Sequence, residues 1–326
     1  MTSPSVPLRR VGSSGLRVSA VGLGCNNFGR PGTATETIEG TRAVLHAAVD
    51  AGVTFFDTAD VYGREFGLSE SLMGEALQGH RDEVVLATKF GHADLAPAIA
   101  GGAKASRAHI RRAVEGSLRR LRTDWIDLYQ LHTPDPSTPI DETLDALADL
   151  VREGKVRYIG HSNFAGWQIA EADAAAAGVR FVSAQNQYSL LARAAEREVL
   201  PAVARFGLGF FPFFPLHNGL LTGKFTREGG PDGSRIMRQR PHLWRDAPWD
   251  ALERYQRFCD VRGISMLQAT FAWFLANPLV SSVIAGATSV DQVRANAEAA
   301  TAWTPTGADI AEIDGILGLP DNPAAG

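Results

Sequence analysis

The feature that most narrows the folds open to this chain is an alternation of short apolar runs with amphipathic stretches, repeated eight times without an interior linker or low-complexity tract. Residues 19–24, 53–56, 84–88, 125–131, 155–160, 181–185, 209–213 and 280–285 are β-leaning runs of strand length. Apolar residues at helical spacing follow them, over 35–50, 69–77, a stretch capped by Ser106 and running to Leu121, 139–152, 164–177, 195–206, the pair 249–262 and 266–276, and 290–300. Residues 11–18, with Gly12 and Gly15, read as a hairpin ahead of the first unit, residues 216–247 as a long irregular segment, and residues 308–317 as a closing helix.

Eight strand-then-helix units in 326 residues fit a (β/α)₈ barrel with an N-terminal β-hairpin and a C-terminal helix, expected as one domain over residues 1–326. A doubly wound sheet would need a Gly-x-Gly-x-x-Gly turn opening a helix. The nearest stretch, Gly22-Leu-Gly24-Cys-Asn-Asn27, has no third glycine and opens no helix.

The formal net charge of -4 gives no electrostatic case for nucleic acid or an anionic membrane. The most apolar run, residues 210–216, is too short to span a bilayer and is broken by Pro212 and Pro215. The first ten residues lack the apolar core of a signal peptide, and two cysteines, Cys25 and Cys259, make no disulfide framework. A soluble, cytoplasmic protein is expected; the oligomeric state is not legible.

In a parallel barrel the C-terminal ends of the strands carry the chemistry. Asp57 ends the second barrel run, Tyr62 lies in the loop beyond it, Lys89 closes the third run and His132 follows the fourth. A phenol with an ordinary pKa of about 10 is a poor proton donor near neutrality. A lysine ammonium beside it lowers that value, an aspartate holds the ammonium in place, and an imidazole orients the substrate oxygen. Singly, each residue has an ordinary structural use; together, at successive strand ends, they read as one active site.

These residues sit in blocks that resemble those of the aldo-keto reductases. The blocks are Phe55-Phe-Asp57-Thr-Ala-Asp-Val-Tyr62-Gly63, Ala87-Thr-Lys89-Phe90, Leu121-Arg-Thr-Asp-Trp-Ile-Asp-Leu-Tyr-Gln-Leu-His132, Gly154-Lys-Val-Arg-Tyr-Ile-Gly-His-Ser162-Asn163-Phe164 and Gly219-Leu-Leu-Thr-Gly-Lys224. The likeness runs from Leu8 to about Ala300. It implies a (β/α)₈ barrel, hydride exchange between NADPH (NADH possible) and an aldehyde or ketone, and a catalytic tetrad of Asp57, Tyr62, Lys89 and His132 with Tyr62 as proton donor.

The resemblance also implies a set of cofactor residues. Ser162, Asn163 and Gln185 match the partners of the nicotinamide carboxamide, although Ser-Asn after a strand is also a turn and Gln185 could tie loops together. Phe213 stands where an aromatic stacks on the nicotinamide, with Phe210, Phe211 and Phe214 close in sequence. Gly24, Cys25, Asn26 and Asp57 are assigned to the same cofactor. Leu216, Gly219 and Lys224 fall in the loop that passes the diphosphate, and Arg235, among Arg238, Arg240 and Arg245, is the preferred contact of a lid or a plain solvated loop. Gly286, Thr288, Gln292 and Asn296 match the adenine end, where a helix N-terminus would receive a 2′-phosphate. Relatives often carry Lys or Arg where Thr288 stands, so this end departs from the pattern and leaves NADH open. Asn26, Asn27, Phe28, Phe90, Trp125, Trp244 and Trp249 are candidate liners for the carbonyl.

Two other readings bear on the same residues. The family includes nucleotide-sensing subunits resembling the β subunits of potassium channels; no N-terminal extension for docking is expected, and the intact tetrad favours turnover. A metal-dependent hydrolase would need clustered ligands, and the eight histidines show no pair at i, i+2 or i+4. No metal is expected.

Overall fold

The structure is a computed structural model that describes residues 6–94 and 103–318. Strands β1 (Leu8–Arg10) and β2 (Arg17–Ser19) pair antiparallel, with Leu8 opposite Ser19. The hairpin strands thus flank residues 11–16 rather than lie within 11–18. Gly12 makes the turn with φ of +52° against Gly207, whose carbonyl oxygen would sit 2.2 Å from any Cβ placed there, so only glycine fits.

Eight parallel strands follow: β3 (Val21–Gly24), β4 (Phe55–Asp57), β5 (Val85–Phe90), β6 (Ile126–Leu131), β7 (Val156–Ser162), β8 (Ser183–Gln187), β9 (Gly209–Phe213) and β10 (Val283–Gly286). They are ordered β10-β3-β4-β5-β6-β7-β8-β9, and a Phe210–Val280 bridge joins the two ends into a nearly closed barrel. Around it run α1 (Ile38–Asp50), α2 (Leu68–Ala76), α3 (Arg107–Leu121), α4 (Ile140–Arg152), α5 (Gly166–Ala175) and α6 (Val199–Phe206). The segment expected to be irregular contains a 3₁₀ turn at His217–Thr222 and two short helices, α7 (Arg235–Gln239) and α8 (Pro241–Arg245). Ser234 caps α7 by accepting from Met237 N–H, and Pro241 opens α8, two start signals too brief to stand out by periodicity. The ring closes with α9 (Trp249–Val261), α10 (Met266–Ala276), α11 (Val290–Ala299) and α12 (Gly307–Leu317).

Helix positions follow from their apolar stripes. In α4, Leu144, Leu147 and Leu150 are buried while the acids at Asp141 and Glu142 sit in the first turn, where the helix dipole favours them. Ser106 caps α3 as expected, accepting from His109 N–H. The main core lies between strands and helices; fully buried Leu86, Ile126 and Ile159 are among its strand residues, each contributing about 1.5–3 kcal/mol of transfer free energy.

A second, smaller core fills the barrel itself. Phe55, Ala87, Leu128, Phe211 and Ile284 point inward and are sealed from below by Val11, Leu16 and Val18 of the hairpin. Above this apolar plug the inward residues turn polar, and there the candidate site begins.

Candidate active site

Asp57 is the last residue of β4, and Lys89 is the penultimate residue of β5 rather than a residue beyond its end. The Lys89 ammonium, fully buried, donates to Asp57 Oδ2 at 2.6 Å and to Thr58 O at 2.9 Å. Asp57 Oδ1 accepts from Gln185 Nε2 at 3.0 Å and Gln130 Nε2 at 3.2 Å. A buried carboxylate in this floor therefore has donors on both oxygens, as burial of a charge demands.

Tyr62 reaches over this floor from the loop after β4, which is pinned by Ser69 N–H to Tyr62 O at 3.0 Å. Its ring centroid lies 5.2 Å from Lys89 Nζ and 5.7 Å from the His132 ring, which it meets edge-on. His132 follows β6 directly; its backbone N–H bonds Phe90 O, and its carbonyl accepts from Asn163 Nδ2 at 2.9 Å. The four groups expected to act together share one location.

Their electrostatics differ in one respect from the sequence reading. Burial lifts the Tyr62 phenol above its ordinary value; Lys89 opposes this but does not overcome it, and Asp57 adds to the rise. The expected net lowering by Lys89 is thus not what the surroundings produce. For Lys89 itself, burial pulls the amine down, but Asp57 and Tyr62 outweigh it and leave it raised. Burial, with the Lys89 charge, holds His132 well below the ordinary imidazole range, so the ring is neutral near pH 7.

The floor opens into a cavity of about 1030 Å³ along the C-terminal rim. Gly24, Cys25, Asn26, Asp57, Tyr62, His132, Ser162, Asn163, Gln185, Phe213, Leu216, Gly219, Lys224, Arg235, Gly286, Thr288, Gln292 and Asn296 all line it. Of the named site residues, only Lys89 is shut beneath. Ser162 Oγ donates to Gln185 O at 2.7 Å, and Asn163, at φ of +63°, spends its amide hydrogens on His132 O and Ser162 Oγ. Phe213 and Phe214 face the cavity edge to face at 5.3 Å, whereas Phe210 and Phe211 are buried in the two cores.

The cavity's far arm is cationic. Burial lowers Lys224, and burial with the nearby Arg30 and Arg240 guanidiniums lowers Arg235 to about 10. Neither shift includes an acidic partner, and Arg235 Nε is buried without a hydrogen-bond partner. Such groups suit an anion. Near the end of β10, Ser289 caps α11, and Gln292 Oε1 accepts from Thr288 N–H at 2.8 Å. Arg294, two residues on, does not face the cavity.

The carbonyl liners are mostly reassigned. Asn26 and Asn27 face the cavity; Phe28 and Phe90 are fully buried in the core, and Trp249 packs against Trp244 away from it. Trp125 lies before β6, at the opposite end of the barrel, between the guanidiniums of Arg81 and Arg157 at 4.5 and 4.8 Å. Large aromatics near a strand are as useful to packing as to a pocket, and only the strand's direction separates the two. Residues not singled out in sequence also line the cavity, namely Arg30, His92 and Thr133, as does Arg238 of the arginine-rich segment. His92 meets the His132 ring at 4.6 Å, and its place three residues past Lys89 was the available signal. Among the described residues no group of three His, Cys, Asp or Glu side chains could hold a metal.

Barrel and site together define an oxidoreductase-type (β/α)₈ barrel with a buried Lys–Asp pair under a tyrosine. A model of the aldo/keto reductase family matches residues 20–317, and the chain belongs to that family. It is 41% identical over 297 residues to the uncharacterized oxidoreductase YrpG of Bacillus subtilis (strain 168), covering 87% of this chain and 88% of that one. It is 32% identical to L-glyceraldehyde 3-phosphate reductase of Escherichia coli O157:H7, covering 94% and 91%. It is also 35% identical to a probable voltage-gated potassium channel subunit beta of Oryza sativa subsp. japonica, covering 89% and 90%.

Proposed function

We propose that this chain is an NAD(P)H-dependent carbonyl reductase and alcohol dehydrogenase that acts on small aldehydes or ketones. The observation that carries the reading is the convergence of Tyr62, His132 and the buried Lys89–Asp57 pair at the floor of one cavity. The residues present fit a nicotinamide dinucleotide. Ser162, Asn163 and Gln185 would hold the carboxamide, Phe213 the ring, Lys224 and Arg235 the diphosphate, and Thr288, Gln292 and Asn296 the adenosine end. Gly24, Cys25, Asn26, Leu216, Gly219 and Gly286 would form the walls. The bound cofactor would supply the hydride.

The chain's own groups would do the rest. Tyr62 and neutral His132 donate hydrogen bonds to the carbonyl oxygen, and Tyr62 transfers its proton as negative charge develops there. The Lys89 ammonium stabilises the phenolate left behind, and Asp57 keeps that ammonium in place. NADPH is the favoured cofactor on the strength of the family resemblance, since the cations of the phosphate arm would serve the diphosphate of either nucleotide; the lack of a cation at Thr288 leaves NADH usable. A cytoplasmic setting is supported by two buried, unpaired thiols, Cys25 and Cys259, and no described helix is long and apolar enough to cross a membrane.

The test is the reduced-nicotinamide absorbance of purified protein with NADPH or NADH and a panel of aldehydes and ketones, including a small phosphorylated aldehyde. Carbonyl-dependent consumption that vanishes in Tyr62→Phe supports the reading; its absence across the panel overturns it. The likeness to a potassium channel subunit favours one other reading, a nucleotide-sensing subunit, which tight NADPH binding without turnover would support.

A further inference from the structure

Gln130 sits on β6 beside Lys89 on one neighbouring strand and Gly160 on the other. It is fully buried and does not face the cavity, so a ligand does not touch it. Its side chain has space because position 160 is glycine: a Cβ there would come 3.2 Å from Gln130 Cγ and 2.3 Å from Ser183 Oγ. From this position Gln130 Nε2 donates to Asp57 Oδ1 at 3.2 Å, while Lys89 holds Oδ2 at 2.6 Å. The other donor to Oδ1, Gln185, lines the cavity and is exposed to whatever binds there. Gln130 is therefore the donor to Oδ1 that ligand binding leaves in place.

We propose that Gln130 is a positioning residue for the carbonyl reaction, which sets how firmly Asp57 holds Lys89 and so how much of the Lys89 charge reaches Tyr62. The inference rests on the function proposed above. A carboxylate oxygen that accepts an N–H bond has part of its charge neutralised, and its partner oxygen attracts an ammonium less strongly. Without Gln130, Asp57 draws Lys89 closer, and the Tyr62 phenolate loses support.

The test uses the full chain with Gln130→Met and Gln130→Glu, and reads the pH dependence of kcat/KM for alcohol oxidation, where the Tyr62 phenolate is the base. In Gln130→Met the rising limb should move to higher pH, with a loss of about tenfold at neutrality, as is usual for partners behind a reacting group. In Gln130→Glu a protonated carboxyl donates to Asp57 in place of the amide, whereas an ionised one repels it. Activity should be kept at low pH and collapse as pH rises, a limb the wild type lacks. If Gln130→Met does not fold, Gln130→Glu, of nearly equal shape, decides alone. Unshifted limbs with either full activity or a uniform loss would overturn the inference and leave the proposed function standing. A wild-type protein inert toward every carbonyl and alcohol would remove both.

Discussion

The Lys89 ammonium lies 2.6 Å from Asp57 Oδ2, with Lys89 fully buried and Asp57 nearly so. The pair links two adjacent strands at the floor of the cavity and commits two charges to the interior. Asp57→Asn should therefore leave an uncompensated ammonium and lower stability by about 3–5 kcal/mol at neutral pH. Lys89 is raised from its ordinary 10.5, so its contribution is full below that value and is lost only as pH climbs through the folded pKa. Urea unfolding at pH 7 thus measures all of it; an unchanged midpoint would contradict the pairing.

Tyr62→Phe should lower carbonyl reduction by about a hundredfold or more and leave cofactor affinity within a factor of about three. Because burial raises Tyr62 and keeps His132 neutral, reduction by the wild type should be flat from about pH 6 to pH 9 and fall only in alkali. Steady-state profiles in both directions check this: oxidation, which needs the phenolate, should instead rise with pH.

His161 is fully buried between Phe164 and Phe181, at ring distances of 4.4 and 5.1 Å, and neither ring nitrogen has a partner. Burial depresses it from 6.5 to about 3, so its stabilising effect is present above 6.5 and is lost as pH falls toward 3. Between pH 6.5 and pH 5 the loss is about 2 kcal/mol. His161→Phe, with the small cavity bounded by Ile169 and Leu208 to absorb the larger ring, should flatten that acid limb in thermal melts. A limb as steep as the wild type's would place the acid sensitivity elsewhere.

Arg235→Ala should weaken NADPH binding by about tenfold, with a shallower salt dependence, since a half-buried guanidinium with a buried, unpartnered Nε and no acidic partner is best explained by an anion. Thr288→Lys should raise the ratio of NADPH to NADH affinity by adding a cation at the N-terminus of α11. Fluorescence titration with both cofactors tests each change; equal effects on both from Thr288→Lys would place the 2′-phosphate away from this helix.

Much of the barrel was legible because its strands and helices carry opposite periodicities and most elements are long enough to show them. Errors fell where local signals are weak. β5 runs through Phe90 and β7 through Ser162, past the expected ends, because pairing with neighbouring strands extends them over Lys89 and Ser162, which propensity disfavours. The helices α7 and α8 have five residues each, too few for a stripe to register. That Asp57, Tyr62, Lys89 and His132 would come together was legible from their order along successive strands. Gln130 was not, because a glutamine in a strand gives no sign of which carboxylate it meets.

Sequence by itself determined the succession of strands and helices, and hence which polar residues lie near the strand ends on the rim: pattern and period act over a few residues and need no partner. Tertiary structure alone decided what faces what. Closing the barrel set half-buried Trp125 between two arginines at the far end, buried Phe90 in the core, and brought Gln130 and Gln185 onto one oxygen of Asp57. It also reversed the expected direction for Tyr62, since burial, which belongs to the assembled fold, outweighed the Lys89 charge beside it.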